Sequence, residues 1–192
     1  MKGRKFFNLK NIIAVLVMIV IVVGFYAYTA KKSDKKQVSG KEYDVLVNKD
    51  LKYAYPETPG EVVKLYSRMV KCMYSGKLSE KELEKMVEKQ RLLLADSLLE
   101  KNPLDKQLQR LKNDIKDYEE DDKSIITYKV ASSEDVSYSK HFGKKYAVLQ
   151  AAFTVKADKK YEKTFEEFTL CKDKTGWKIV GWTLADDNDT KK

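Results

Sequence analysis

The chain has few of the residues that usually carry catalytic or metal chemistry. Its 192 residues include one histidine, two cysteines and three prolines. The cysteines, Cys72 and Cys171, are too few for a disulfide framework, and with His141 alone to help them they cannot form a zinc site. We expect two unpaired thiols, although a single long-range disulfide is compatible with a location outside the cytosol.

Known catalytic motifs are also missing. The sequence contains no glycine-rich phosphate loop, no metal-ligand spacing and no nucleophile triad. His141 lies in a predicted turn among lysines, where it is expected to be a solvated loop residue. Glu166 and Glu167 are adjacent, so a strand would direct them to opposite faces. An inward-facing member of this pair is the one catalytic candidate that remains. We therefore predict a protein that is not an enzyme, with no cofactor and no metal.

A long uncharged run is present near the N-terminus. Residues 12–30 (IIAVLVMIVIVVGFYAYTA) carry no charge, and a helix of this length reaches roughly 28 Å, close to the thickness of a bilayer core. The run is longer than the apolar part of a cleaved signal, and cleavage after Ala27 or Ala30 would place Phe25 or Tyr28 at the −3 position. The pattern predicts an uncleaved signal anchor.

The net charge of +9 suggests nucleic-acid binding, but most of it lies beside this run. Residues 1–10 carry +4 and residues 31–36 carry +3, which leaves only +2 for residues 37–192. Basic residues at such positions contact lipid headgroups, so we expect a lipid bilayer as partner and no nucleic acid. The flanking basic residues are Lys2, Arg4, Lys5, Lys10, Lys31, Lys32, Lys35 and Lys36.

Lysines on both sides of the run make its orientation depend on the short charged tail that precedes it. Such a tail favours a cytoplasmic N-terminus. The predicted localisation is the cell membrane, crossed once, with an extracytoplasmic C-terminal domain.

Three amphipathic helices are predicted after a polar stalk. Thr58-Pro59-Gly60-Glu61 is typical of a helix start, with Thr as N-cap, Pro in the first turn and Glu at N3. Ser79 and Glu82 form a second capping box, whose helix is expected to run toward Leu99. The third helix is expected to begin at residues 102–103 and to end in the acidic run at residues 118–122.

A period of two then replaces the helical period. Residues 124–138 predict one strand with a bulge near Ser132, and Ala147, Leu149, Ala151, Phe153 and Val155 form one apolar face of the next. Two further strands are predicted, through Phe168 and through residues 177–182.

These patterns predict an α+β fold: an N-terminal transmembrane helix, then three amphipathic helices packed on a curled four-stranded antiparallel sheet. The expected segments are a cytoplasmic basic tail at residues 1–11, the transmembrane helix at 12–30, a polar stalk at 31–57, the α+β domain at 58–185 and a disordered tail at 186–192.

Two stretches carry a resemblance. The chain resembles the nuclear-transport-factor-2-like (cone) superfamily in these stretches, residues 58–66 (TPGEVVKLY) and 176–182 (GWKIVGW). The predicted order of three helices before a meander of strands is part of the same resemblance. The likeness is greatest to membrane-anchored proteins of unknown function from Gram-positive bacteria. The resemblance implies a sheet that wraps around the helices and leaves a cone-shaped recess. Its motifs are structural, so it implies no reaction.

Trp177 and Trp182 are the candidate interaction residues. Five positions separate them, so regular alternation would place them on opposite faces, one in the core and one exposed. Tyr66, Tyr74, Tyr128, Tyr138 and Tyr146 either line a pocket for a small-molecule ligand or pack at the domain edge, and packing is the simpler interpretation.

We expect an extracytoplasmic binding or interaction domain with an unidentified protein partner. One alternative is an assembly component of a conjugation or secretion apparatus. Another is a pocket enzyme or small-molecule sensor, which a buried carboxylate in a deep recess would favour. A recess filled by side chains, with an exposed Trp or Tyr patch, would favour the interaction domain.

Overall fold

The computed structural model describes residues 40–75, 77–158 and 160–186. These residues form five helices and one antiparallel sheet of five strands. The helices are α1 (described part, residues 40–47), α2 (Pro59–Met73), α3 (Glu80–Arg91), α4 (Asp96–Lys101) and α5 (Leu104–Glu120). The strands are β1 (Lys123–Val130), β2 (Ser137–His141), β3 (Lys144–Ala157), β4 (Lys160–Lys172) and β5 (Trp177–Ala185).

The long strand β3 organises the sheet. One of its edges pairs with β4, which pairs in turn with β5. Its other edge pairs with both β1 and β2, which lie end to end: β2 opposite residues 144–148 and β1 opposite residues 151–157. All of these pairs are antiparallel. The first residues of β3 therefore belong to the β2–β3 hairpin.

The core lies between one face of this sheet and the helices. Alternate residues of β3 are buried, as the period-two pattern predicts, and Phe168 and Leu170 of β4 are fully buried beside them. Helix α2 supplies the largest helical share, with Val62, Val63 and Met69 fully buried. Burial of each large apolar side chain contributes about 1.5–3 kcal/mol.

Both predicted capping boxes are confirmed. At α2 the Glu61 amide donates to the Thr58 hydroxyl oxygen over 3.2 Å, and the Thr58 amide donates to the Glu61 carboxylate over 3.1 Å. At α3 the Ser79 amide donates to Glu82 over 2.7 Å. Pro59 occupies the first turn of α2, where its missing amide hydrogen costs nothing.

The described part of the predicted polar stalk is folded onto the domain. Residues 40–47 are helical, Tyr43 is buried and Leu46 is fully buried. Arg68 of α2 also makes two hydrogen bonds to the Glu42 carboxylate, of 2.6 and 2.9 Å. Burial of Leu46 and Tyr43 on one face of this helix attaches it to the domain.

The prediction of four strands was wrong. The first predicted strand is two strands, because β1 ends at Val130 and a 3-10 turn at Ser133–Asp135 separates it from β2. A bulge lies inside β1, since Ile125 pairs with Val155 but Thr127 pairs with the next residue, Thr154. Ile126 is therefore 41% exposed, and Ile125 packs against the core instead.

The prediction of three helices was also wrong. The second predicted helix is interrupted at residues 92–95, where Leu94 bridges to Ile179 of β5. The Ile179 amide donates to Leu93 and the Ala95 amide donates to Ile179, both over 2.9 Å. These bonds to β5 take the place of helical ones, and α4 begins after them. The third predicted helix corresponds to α5. The acidic run at residues 118–122, where this helix was expected to end, is partly helical, since α5 extends to Glu120.

The transmembrane helix of the predicted fold is not supported. Within residues 40–75, 77–158 and 160–186, no helix combines the length and the apolar character needed to cross a membrane. The predicted segment at residues 12–30, its flanking basic residues and the C-terminal tail from residue 187 lie outside these ranges. The predicted localisation and orientation stay predictions.

Gly176, in the turn before β5, lies close to the ring of Tyr55. Its φ is +140°, a conformation that L side chains rarely adopt, and an added Cβ would lie 2.8 Å from two ring carbons of Tyr55. The Tyr55 hydroxyl donates to the Trp177 carbonyl over 2.8 Å, and the Lys178 ammonium lies 4.2 Å from the ring centre. The segment before α2 is thereby fixed to the start of β5.

Leu46→Ala tests the packing of α1. Because Leu46 is fully buried, we expect its truncation to lower the free energy of unfolding by about 2–5 kcal/mol. Val45→Ala is the matched control, since Val45 is 49% exposed, and its effect should stay within about 0.5 kcal/mol. Urea unfolding of the full-length chain gives both values. Equal effects would show that α1 does not pack as described.

Gly176→Ala tests the contact with Tyr55. The strained φ and the close Cβ should together lower the free energy of unfolding by at least about 2 kcal/mol. Gly181→Ala is the control, because a Cβ there meets nothing within 4 Å. A thermal melt that ranks the two variants in the opposite order would contradict this account.

Candidate functional site

Glu166 is a half-buried carboxyl group on the core side of β4. It shares a face with Phe168, and it pairs with Ala151 of β3 and Leu184 of β5. Burial raises its pKa from 4.5 to about 7, and no other cause contributes to the shift. Among the described residues, none donates a hydrogen bond or forms an ion pair with this carboxyl group.

Three tyrosines lie near Glu166: Tyr66 from the middle of α2, Tyr74 from its C-terminal end, and Tyr118 from α5. Burial is the main cause that raises the pKa of each hydroxyl, and the charge of Glu166 adds to each rise, whereas Lys123 lowers the pKa of Tyr118. The Tyr74 and Tyr118 rings pack edge to face with centres 4.8 Å apart. Asp114 of α5 adds a second negative charge near this pair, because it too raises both pKa values.

Trp182 and Leu184 of β5 form the outer wall of this region. The Trp182 ring lies 5.5 Å from Tyr66 and 5.9 Å from Phe168, yet the residue is 40% exposed, and Leu184 is 78% exposed. We call the whole set the rim cluster. It consists of Glu166, Tyr66, Tyr74, Tyr118, Trp182 and Leu184.

A bulge places Trp182 in the rim cluster. Leu170 pairs with Ile179 while the preceding residue of β4, Thr169, pairs with Gly181, so Val180 is the extra residue. The bulge resets the alternation, and Trp177 and Trp182 therefore lie on the same face of the sheet. The expectation of opposite faces was wrong. Trp177 is buried, 5% exposed, and belongs to the core.

The other sequence candidates lie away from the rim cluster. His141 is exposed at the end of β2, with its ring 6.1 Å from that of Tyr146. Glu167 faces the opposite side of β4 from Glu166, as predicted. Tyr128 and Tyr138 line a separate cleft of about 450 Å³ beside the start of α2. Tyr146 is part of the β2–β3 hairpin, where it pairs with Ser139.

The cysteines are free thiols, Cys72 buried in α2 and Cys171 half-buried on β4. Burial raises the pKa of the Cys72 thiol to about 11, so it stays protonated and unreactive at neutral pH. In the part of the chain that the structure describes, no three His, Cys, Asp or Glu side chains are grouped to hold a metal ion.

The rim cluster has two chemical capabilities. An anionic carboxylate among tyrosine and tryptophan rings attracts an organic cation, since the charge and the faces of the rings act in the same direction. A carboxyl group whose pKa is about 7 also takes up or releases a proton at physiological pH. The core beneath it is filled by side chains such as Phe168, so the ligand atoms would sit at the rim and not deep inside.

The sequence singled out Glu166, Tyr66, Tyr74 and Trp182 separately but gave no sign that they meet, and it did not point to Tyr118 or Leu184 as site residues. Glu166 was singled out only as one of an adjacent pair, and Tyr118 was assigned to the end of a helix. One feature of the sequence does indicate that Glu166 is buried. It lies two residues before Phe168, on the face that the strand pattern assigns to the core. Its neighbours could not be inferred, because they come from α2, α5 and a bulged β5.

Comparisons with known proteins identify a family but no activity. A search of curated proteins finds no significant match. Among solved structures, the intermembrane space region of chloroplast protein ARC6 is similar at 10% sequence identity, covering 69% of this chain and 100% of that one, with a TM-score of 0.31. A similarity this low supports no argument about fold or function.

The family comparison is more extensive. Residues 1–182 match the family described as Domain of unknown function (DUF6715). The resemblance to nuclear-transport-factor-2-like proteins from Gram-positive bacteria stays a prediction. Because the match extends over most of its length, the chain belongs to the DUF6715 family.

Proposed function

We propose that this protein is a binding module whose rim cluster takes a cationic group of a ligand or partner, such as an alkylammonium group. The observation that carries the proposal is the half-buried Glu166 carboxyl group, which has no donor among the described residues and lies among three tyrosines. A bound ammonium group would supply the missing donors.

The surroundings of Glu166 favour a cation that carries apolar atoms. Trp182 and Leu184 leave apolar surface exposed next to the carboxyl group. A cation over an aromatic ring gains about 0.5–2 kcal/mol, and apolar area gains about 25 cal/mol per Å² removed from water. A bare metal ion would use neither contribution.

Proton transfer is the second candidate function. It is favoured by one observation, the pKa of about 7 at Glu166, which suits a general base or acid. The binding role ranks first because the rim is open and the core below it is filled. The alternative of an assembly component for a conjugation or secretion apparatus stays a prediction, as does an unidentified protein partner.

Binding of n-butylammonium tests the proposal directly. We expect the full-length chain at pH 8 to bind this probe and to change the fluorescence of its tryptophans, because Trp182 lines the site. Butanol, which has the same chain without the charge, should bind at least tenfold more weakly. Glu166→Gln should remove the preference for the cation, since it removes the negative charge but keeps the shape.

Glu167→Gln is the matched control for that titration. It removes the same charge from the adjacent residue, on the other face of the strand, and should bind n-butylammonium as the natural chain does. An unchanged affinity in Glu166→Gln, or an equal loss in both variants, would contradict the proposed site.

The stability of Glu166→Gln should depend on pH in a characteristic way. Burial raises the pKa of Glu166 above its value of 4.5 in the unfolded chain, so folding is opposed by ionisation of this group as the pH rises from 4.5 through 7. Gln cannot ionise. The variant should therefore be more stable than the natural chain at pH 8, by at most about 3 kcal/mol at about 1.36 kcal/mol per pKa unit.

Urea unfolding at pH 4.5 and pH 8, followed by circular dichroism, measures this difference. The advantage of Glu166→Gln should shrink toward zero at the lower pH, and Glu167→Gln should show no such trend. A Glu166→Gln variant that is less stable at pH 8 would show that the carboxylate is satisfied by the fold and is not held for a ligand.

A further inference from the structure

The tip of the β2–β3 hairpin departs from what stability alone would select. Its two-residue turn consists of Phe142 and Gly143, both with positive φ, +48° and +79°. Asn, Asp and Gly are the residues that such turns favour, and a positive φ is a strained conformation for a bulky residue. The Phe142 side chain is nonetheless fully exposed at the apex.

Like charges face each other across the same hairpin. Lys140 pairs directly with Lys145, and the next pair toward the tip is His141 with Lys144. Side chains in directly opposed positions lie about 4.5–5.5 Å apart at their Cβ atoms, and like charges in such pairs are destabilising. The two pairs point to opposite faces of the hairpin, so cationic groups lie on both sides of Phe142.

No nearby acid relieves this repulsion. Residues 136–157 contain no Asp or Glu, and neither His141 nor any of the three lysines at the tip forms an ion pair within the described ranges. The neighbouring end of β4 adds another cationic residue, Lys172. It comes directly after Cys171, which pairs with Tyr146 of β3. Asp173 comes next, but its carboxylate accepts hydrogen bonds from Thr175 and Gly176 in its own turn.

We propose that this hairpin tip binds a phosphate group carried on an apolar ligand, with Lys140 and Lys145 on the phosphate and Phe142 on the apolar part. A cleft lined by both lysines, Ser139 and two tyrosines lies beside the tip, and Tyr138 shares the face of the two lysines, where its hydroxyl offers a further donor. The site is separate from the rim cluster and does not depend on the function proposed for it.

Two features of the tip select this ligand chemistry. Lysine acts on phosphate as a point charge, whereas planar carboxylates are recognised best by the fork of an arginine, and the hairpin contains no arginine. An inorganic anion would give Phe142 no role. The apolar group explains why a fully exposed phenyl ring occupies a turn position that prefers Asn or Gly.

Calorimetric titration of the full-length chain with phenyl phosphate, inorganic phosphate and benzoate tests the proposal. Phenyl phosphate should bind most tightly, at least threefold better than inorganic phosphate and at least tenfold better than benzoate. Vesicles of phosphatidylcholine with and without phosphatidylglycerol form a second arm. Binding to phenyl phosphate indicates a soluble phosphate ester, and binding only to the vesicles with phosphatidylglycerol indicates a lipid headgroup.

The variant Lys140→Gln/Lys145→Gln should lose at least tenfold in affinity in whichever arm shows binding, without a lower melting temperature, because it relieves repulsion. The control Lys156→Gln/Lys160→Gln removes two lysines from the opposite end of β3 and β4 and should leave affinity unchanged.

Phe142→Asn should raise the melting temperature, since Asn suits the turn, and should remove the preference for phenyl phosphate over inorganic phosphate.

Three results would overturn the proposal. One is no binding in either arm. The second is equal binding of benzoate and phenyl phosphate, and the third is equal loss of affinity in the two double-lysine variants.

Discussion

Burial of one sheet face under a layer of short helices is the constraint on which the structure depends. Helix α2 has 15 residues and is about 22 Å long, whereas β3 has 14 residues and extends about 47 Å. The helices can therefore cover only part of the face. Side chains under them, such as Phe168 and Leu149, form the core, and the remaining length of the sheet projects beyond it. The hairpin tip lies beyond this cover, and the rim cluster lies at its β5 side, where Trp182 and Leu184 are exposed.

Both regions carry features that cost stability. Glu166 is a carboxyl group placed under partial cover without a donor, and Lys140 opposes Lys145 across a hairpin whose turn holds Phe142 at a positive φ. Several local choices elsewhere agree with the fold, as in the two capping boxes and the glycine at position 176. Departures from that consistency concentrate where a protein binds other molecules, because binding then compensates for what folding loses.

Local pattern was sufficient for some elements. The Thr58 and Ser79 caps begin their helices as predicted, and the apolar face of β3 is buried, since both follow from neighbouring residues alone. Bulges were not predictable in the same way, and each one exchanges the faces of the residues on one side of it relative to those on the other side. The extra residues Ile126 and Val180 therefore moved Ile125 and Trp182 to the core side. The break at Leu94 was equally hidden, because its cause is pairing with Ile179, 85 residues away.

The bulge at Val180 also makes the rim cluster possible. With regular alternation continued from Trp177 and Ile179, the core side of β5 would next receive Gly181 and Thr183, and Glu166 would face a small or polar neighbour. The extra residue instead presents Trp182 opposite Phe168 and Leu184 opposite Glu166. An aromatic ring and an apolar side chain thus flank the carboxyl group because the strand gains one residue. Val180 is not a member of the rim cluster, yet the identity of the residues beside Glu166 depends on its insertion.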